Sequence, residues 1–140
     1  MSLTTEQKVR IFFSAVALVV IIIGLVLNYN AWLSAKDILI INEIKALASG
    51  LEHYHTDFWR YPTAENITLG GQLLLTDNGF STGRQIYYQG SILTDAKAHY
   101  VSDGERYQIT FRLKNNWSQV GLGGKNCLLT SGLVLACSKK

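Results

Sequence analysis

The run IFFSAVALVVIIIGLVL (Ile11–Leu27) and the run ILIINEIKALASGLEHYHTDFW (Ile38–Trp59) decide how this chain is read. The first carries no charge, and at 1.5 Å per residue it makes a helix roughly 25 Å long. That is the short end for a hydrocarbon core of about 30 Å. Tyr29, Trp32 and Leu33 extend it with residues suited to a membrane interface. Asn28-Tyr29-Asn30-Ala31-Trp32 is a poor cleavage site, so a retained transmembrane helix over 11–33 is expected behind a polar leader at 1–10. Lys8 and Arg10 precede the run, whereas Lys36 beyond it is paired with Asp37. That charge bias points to a cytoplasmic N-terminus and a periplasmic or extracellular head.

In the second run Ile40, Ile44, Leu47, Leu51, Tyr54 and Phe58 step by 4, 3, 4, 3 and 4 residues, with Ile41 and Ala48 widening the stripe. Glu43, Lys45, Glu52 and Asp57 lie mostly off it. A stripe of this width predicts an amphipathic helix over 36–60 lying across a sheet. Arg60-Tyr61-Pro62-Thr63 ends it, because a residue before proline avoids helical backbone. Residues 61–84 hold Gly70-Gly71 and Asp77-Asn78-Gly79 and read as a loop with a short helical or extended piece at Leu73–Leu75. Strands follow over 85–140: Gln85–Gln89, His99–Val101, Arg106–Lys114, Trp117–Leu122 and Leu128–Ala136. Asp103-Gly104 between two of these arms is a hairpin signal, and Tyr107, Ile109, Phe111 and Leu113 alternate onto one face. The fold class is therefore α+β: a long N-terminal helix packed on a small antiparallel β-sheet.

The 140 residues suit one head of about a hundred residues, over 34–140, plus an anchor. Thirteen Lys and Arg against ten Asp and Glu give a net charge of +3, and no basic cluster suggests a nucleic-acid partner. Cys127 and Cys137 bracket a turn at Ser131-Gly132. They are either a disulfide, which persists only in an oxidising compartment, or two free thiols; the upstream anchor favours the disulfide.

Leu51, Tyr54, Asp57, Tyr61 and Pro62 form the pattern L-x-x-Y-x-x-D-x-x-x-Y-P at the helix end, with Thr63 next. With the Tyr100-x-x-Asp-Gly-x-x-Tyr107 hairpin and the C-terminal cysteine pair, the chain resembles the type IV pilins. It is most similar to the pseudopilins related to the major subunit of type II secretion systems. The resemblance implies a structural, non-enzymatic subunit whose membrane helix packs against sister subunits. Two features depart from the family. Phe58-Trp59 stands where its pattern has Asn-Gly. Arg10 precedes Ile11, where prepilins have a Gly before a Phe-Thr-Leu-Ile-Glu-like start, and no acidic residue occurs from Val9 to Lys36. The alternative is a tethered extracytoplasmic binding or sensing module that does not polymerise.

Candidate sites are few. His53, His55 and Asp57 alternate, but residues two apart on a helix point in different directions, and zinc pairs on helices want four-residue spacing. Asp95, Asp103 and Glu105 are the calcium candidates that the resemblance suggests. Their spacing matches no Asp-rich loop, and Asp103 reads as a turn former. No cofactor is expected. Asn66-Ile-Thr68 and Asn116-Trp-Ser118 are glycosylation sequons. His99 is isolated, no catalytic triad is spaced meaningfully, and Gly121–Gly124 lacks the lysine of a phosphate loop. Tyr87, Tyr88, Tyr100, Tyr107 and Trp117 suit sheet packing better than a binding face.

Overall fold

Apolar run and amphipathic stripe belong to one helix. In the computed structural model, which describes residues 5–115 and 124–138, α1 spans Thr5–Phe58 without interruption. It starts within the expected polar leader and crosses the boundary between two compact units, Met1–Ala35 and Lys36–Lys140. In the first unit the helix is one candidate membrane span, with a mean hydropathy of 2.8 over its most apolar window and none of that window buried. Asn28 at its end donates its side-chain amide to Gly24 O at 3.0 Å, which returns a polar group to the helix's own backbone. Tyr29 and Trp32, residue types enriched at membrane interfaces, lie about one turn apart with ring centroids 6.3 Å apart.

In the second unit α1 packs on antiparallel strands. Among the described residues seven strands follow it: β1 Ala64–Leu69, β2 Gly71–Thr76, β3 Ile86–Ile92, β4 Ala98–Ser102, β5 Tyr107–Arg112, β6 Asn126–Thr130 and β7 Val134–Ser138. They make a five-stranded sheet in the order β1-β4-β5-β6-β7 and a separate two-stranded sheet of β2 and β3, with every pair antiparallel. Half of the stretch expected to be a loop over 61–84 is thus strand, in β1 and β2. The alternation in Ala64–Leu69 is masked by polar residues because β1 sits at a sheet edge. Gly70-Gly71 is the corner where the chain leaves one sheet for the other, and Gly71 has φ +73°. The arm expected at Trp117–Leu122 lies outside the described residues. Leu128–Ala136 resolves into parts of two strands, β6 and β7, joined by a turn over 131–133.

The core is the helical stripe against the sheet. Ile40, Ile44, Leu47, Ala48, Leu51 and Tyr54 are buried, as are Tyr107, Ile109, Phe111 and Leu113 across from them. Each such apolar side chain contributes about 1.5–3 kcal/mol by leaving water. Phe58, the last position of the stripe, is 37% exposed where the helix ends, and its ring meets those of Tyr54 and Tyr87. One glycine is required by packing. A Cβ on Gly50 would lie 2.8 Å from Tyr87 O and 2.9 Å from Tyr88 Cβ, so β3 crosses the helix where a side chain is missing.

Candidate functional site

Four carboxylates on α1 organise the head, although a sequence pattern places them at the edge of the stripe or beyond it. β3 crosses at Gly50, and its two adjacent tyrosines reach along the helix in opposite directions. Tyr88 donates its hydroxyl to Glu43 at 2.8 Å, and Tyr87 donates to Asp57 at 2.6 Å. Glu43 and Asp57 each lie seven residues from Gly50, about two turns on either side. Gln85 adds a 3.3 Å bond to Asp57. Bonding of this kind stabilises the neutral phenol. Tyr87 is raised to about 12, first by its bond to Asp57. Tyr88 is raised first by burial and then by its bond to Glu43.

Glu52 serves as the second junction. Its Oε2 accepts from Tyr61 at 2.9 Å, while its Oε1 accepts from Tyr107 and from the Gly132 amide, both at 3.1 Å. One side chain thereby ties α1 to the Tyr61-Pro62 corner, to β5 and to the β6–β7 turn. Burial, then the bond and charge of Glu52, raise Tyr61 to about 12. The same corner is held twice more. Tyr61 N–H donates to Gly104 O at 2.8 Å, and Tyr100 hydroxyl donates to Pro62 O at 2.7 Å. The Tyr-Pro pattern and the Tyr100–Tyr107 hairpin, far apart in sequence, therefore meet around one carboxylate.

Asp37, which stands beside Lys36 in sequence, also holds a distant segment. It is fully buried and accepts the Lys114 and Asn115 amides at 2.7 and 2.8 Å. A short exposed carboxylate cannot be told from a buried one by spacing. What buries Asp37 is a chain segment 77 residues away. Cys127 and Cys137 stand directly opposite each other in the β6–β7 register and form a disulfide, with Cα atoms 4.0 Å apart.

The remaining candidates separate. His55 stacks on Tyr61 with ring centroids 4.5 Å apart, Asp57 holds Tyr87, and His53 is exposed. Among the described residues, no three His, Cys, Asp or Glu side chains are grouped as a metal-ligand set would be. Asp103 accepts the Glu105 and Arg106 amides at 2.9 and 2.8 Å, which makes it a turn former and holds its carboxyl below the ordinary range. Asp95 pairs instead with Lys114, at 3.7 Å on the surface. His99 meets Asn66 across β1 and β4 at 3.1 Å. Tyr88, Tyr100 and Tyr107 are buried in the core and Tyr87 is half-buried. Asn116, Trp117 and Gly121–Gly123 lie outside the described residues.

Sequence reasoning missed a cleft of about 480 Å³ beside the Tyr61-Pro62 corner. Arg60 to Thr63 line one part of it and the segment from Asp77 to Ser81 lines another, with apolar surface from Tyr54, Ile67 and Phe80. The second segment is pinned. Thr76 and Gly79 exchange backbone hydrogen bonds at 2.9 Å, Thr76 hydroxyl donates to Ser81 O at 2.9 Å, and Asp77 Oδ1 accepts the Arg84 amide at 2.8 Å. Asp77-Asn78-Gly79 was a visible turn signal, but nothing in the sequence says which other loop it faces.

Comparison with models of protein families, with curated proteins and with solved structures finds no match to this chain.

Proposed function

We propose that this chain is a structural, non-enzymatic subunit of a type IV filament or type II secretion-like system, anchored by Ile11–Leu33 with its N-terminus cytoplasmic and its head periplasmic or extracellular. The observation that carries the reading is the junction at Glu52, where Tyr61 and Tyr107 converge. Those tyrosines belong to the two patterns on which the pilin resemblance rests, and one carboxylate on the stem helix joins them to it. In such a subunit the apolar half of α1 packs against sister helices in the bilayer, and the head needs no cofactor. The disulfide suits a head in an oxidising compartment.

A second reading has its own support. Arg10 rather than a Gly precedes Ile11, and no acidic residue follows between Val9 and Lys36, whereas a prepilin start has both. The same anchor would then hold a head that stays tethered as a binding or sensing module.

Mass spectrometry of the mature protein, together with crosslinking through a Val19→Cys variant in native membranes, separates the two. A shortened N-terminus and a ladder of crosslinked species support the filament subunit. An intact N-terminus at Met1 or Ser2 with monomers only supports the tethered module. Recovery free of membrane after cell fractionation would sink both.

A further inference from the structure

Lys97, Arg112, Lys114 and Lys125 are dispersed along the sequence, yet they line one pocket of about 270 Å³ together with Leu113 and Asp95. Strand pairing gathers them. Arg112 stands opposite Asn126, and Leu113 N–H donates to Lys125 O at 2.8 Å, so Lys114 and Lys125 share the end of the β5–β6 ladder. Lys97 joins from the start of β4, whose His99 stands opposite Thr110 of β5. Its backbone is left-handed with φ +46°, a conformation that glycine adopts more readily than lysine.

Four cations here face one carboxylate. Asp95 lies 3.7 Å from Lys114, whereas Lys97, Arg112 and Lys125 have no ion pair among the described residues. The strands around them offer no compensation, because β4, β5, β6 and β7 contain no Asp or Glu. All four basic side chains are exposed. Lys and Arg only donate and stay charged at neutral pH. Donors of one sign set round one pocket select an anion with several acceptor oxygens, and a phosphate group has that form.

The place where the patch is tethered decides which phosphate it meets. Asp37 accepts the Lys114 and Asn115 amides at 2.7 and 2.8 Å, so the basic end of β5 is fixed to that point of α1. Asp37 is four residues beyond Leu33, where the expected span ends. Four residues of chain reach at most about 14 Å, whatever the angle between anchor and head. The attraction of a charged surface fades over a Debye length of about 8 Å, so charges held this close to the bilayer feel its headgroups.

We propose that Lys97, Arg112, Lys114 and Lys125 bind the phosphate of an anionic lipid headgroup at the base of the head. The proposal rests on the α1 anchor, which both readings above share, and not on assembly into a filament.

The test uses the full chain in mixed micelles holding equal amounts of phosphatidylglycerol and phosphatidylcholine, with native mass spectrometry counting the lipids retained. A preference for phosphatidylglycerol of about tenfold or more is expected, fading in high salt. Arg112→Gln should lower it by about fivefold, and Lys97→Gln/Arg112→Gln/Lys125→Gln should abolish it. Arg106→Gln, the same change at the other end of β5, should leave it intact. The triple variant removes crowded like charges and should not lower the thermal midpoint, so its loss of lipid cannot be blamed on unfolding. Equal retention of the two lipids by the unaltered chain would overturn the proposal. So would a preference that survives the triple variant and vanishes in Lys8→Gln/Arg10→Gln, which would put the lipid at the other end of the span. A preference lost in about 10 mM sodium phosphate, but kept in sodium chloride of equal ionic strength, would also overturn it by making the patch a site for free phosphate. Failure of the anchor is distinguishable from all of these, because a chain that stays soluble without detergent would retain neither lipid and would overturn both readings with the proposal.

Discussion

The two halves of α1 share a backbone conformation, yet they differ in composition and in surroundings. From Ile11 to Leu27 almost every apolar side chain is exposed, and they point all round the helix. From Ile40 to Tyr54 the stripe residues Ile40, Ile44, Leu47, Ala48, Leu51 and Tyr54 fall on one side and are buried. A helix that is apolar all round needs an apolar solvent, whereas one with a stripe needs a sheet. The polar residues differ as well. The span's Asn28 bonds its own backbone, while Glu43, Glu52 and Asp57 bond tyrosines from other elements. One half is therefore specified by the medium around it and the other by its partners.

Identical truncations should expose that difference most strongly. Leu47→Ala or Leu51→Ala is expected to destabilise the head by about 2–5 kcal/mol. Leu25→Ala, in the exposed half, should stay within about 0.5 kcal/mol. Denaturant unfolding of the full chain in micelles measures both, and equal effects would erase the distinction. The converse change comes next. Val20→Arg should oppose membrane insertion by about 2.5–3.5 kcal/mol and release the protein on alkaline carbonate extraction. Leu39→Arg, at a position 56% exposed, should not.

Smaller effects sharpen the contrast between partnered and unpartnered carboxylates. Glu52→Gln replaces a charged acceptor of three hydrogen bonds and should lower head stability by about 1.5–3 kcal/mol. Glu65→Gln on the exposed face of β1 should be neutral within about 0.5 kcal/mol. The gentlest probe is pH. Tyr61 and Tyr87 titrate at about 12 in the folded head against 10.0 ordinarily. Because the folded state holds those protons more tightly, their contribution is complete below pH 10.0 and disappears as pH rises to about 12. The unfolding midpoint should fall across that window, and Tyr61→Phe should make the fall shallower. A midpoint that holds flat to pH 12 would show that these phenols are not bonded to carboxylates in solution.

Much of the fold was legible because it is periodic. Stripe, hairpin at Asp103-Gly104 and alternating Tyr107–Leu113 face all follow from side-chain direction along a helix or a strand. β1 and β2 were not legible. Their sequences are short, bounded by paired glycines and only partly alternating, since β1 is an edge and β2 pairs with β3 alone. Of the sites, the cysteine pair could be read from spacing and a turn. Glu52 could not, because its partners lie 9, 55 and 80 residues away. The left-handed backbone at Trp59 carried a faint signal, since that residue stands where the resembling family has glycine.

The sequence by itself determined that the chain has one apolar helix able to span a bilayer, that the helix continues as an amphipathic stem, and that antiparallel strands follow. Those are properties of neighbours within a few residues, and local sterics and burial decide them. Only the tertiary structure decided that Asp37 is buried, that Glu43, Glu52 and Asp57 are claimed by tyrosines, that Gly50 is where β3 crosses, and that a cleft opens beside the Tyr61-Pro62 corner. Each of these depends on segments brought together from far along the chain. The hydrogen bonds that reward such meetings exist only once the core has formed.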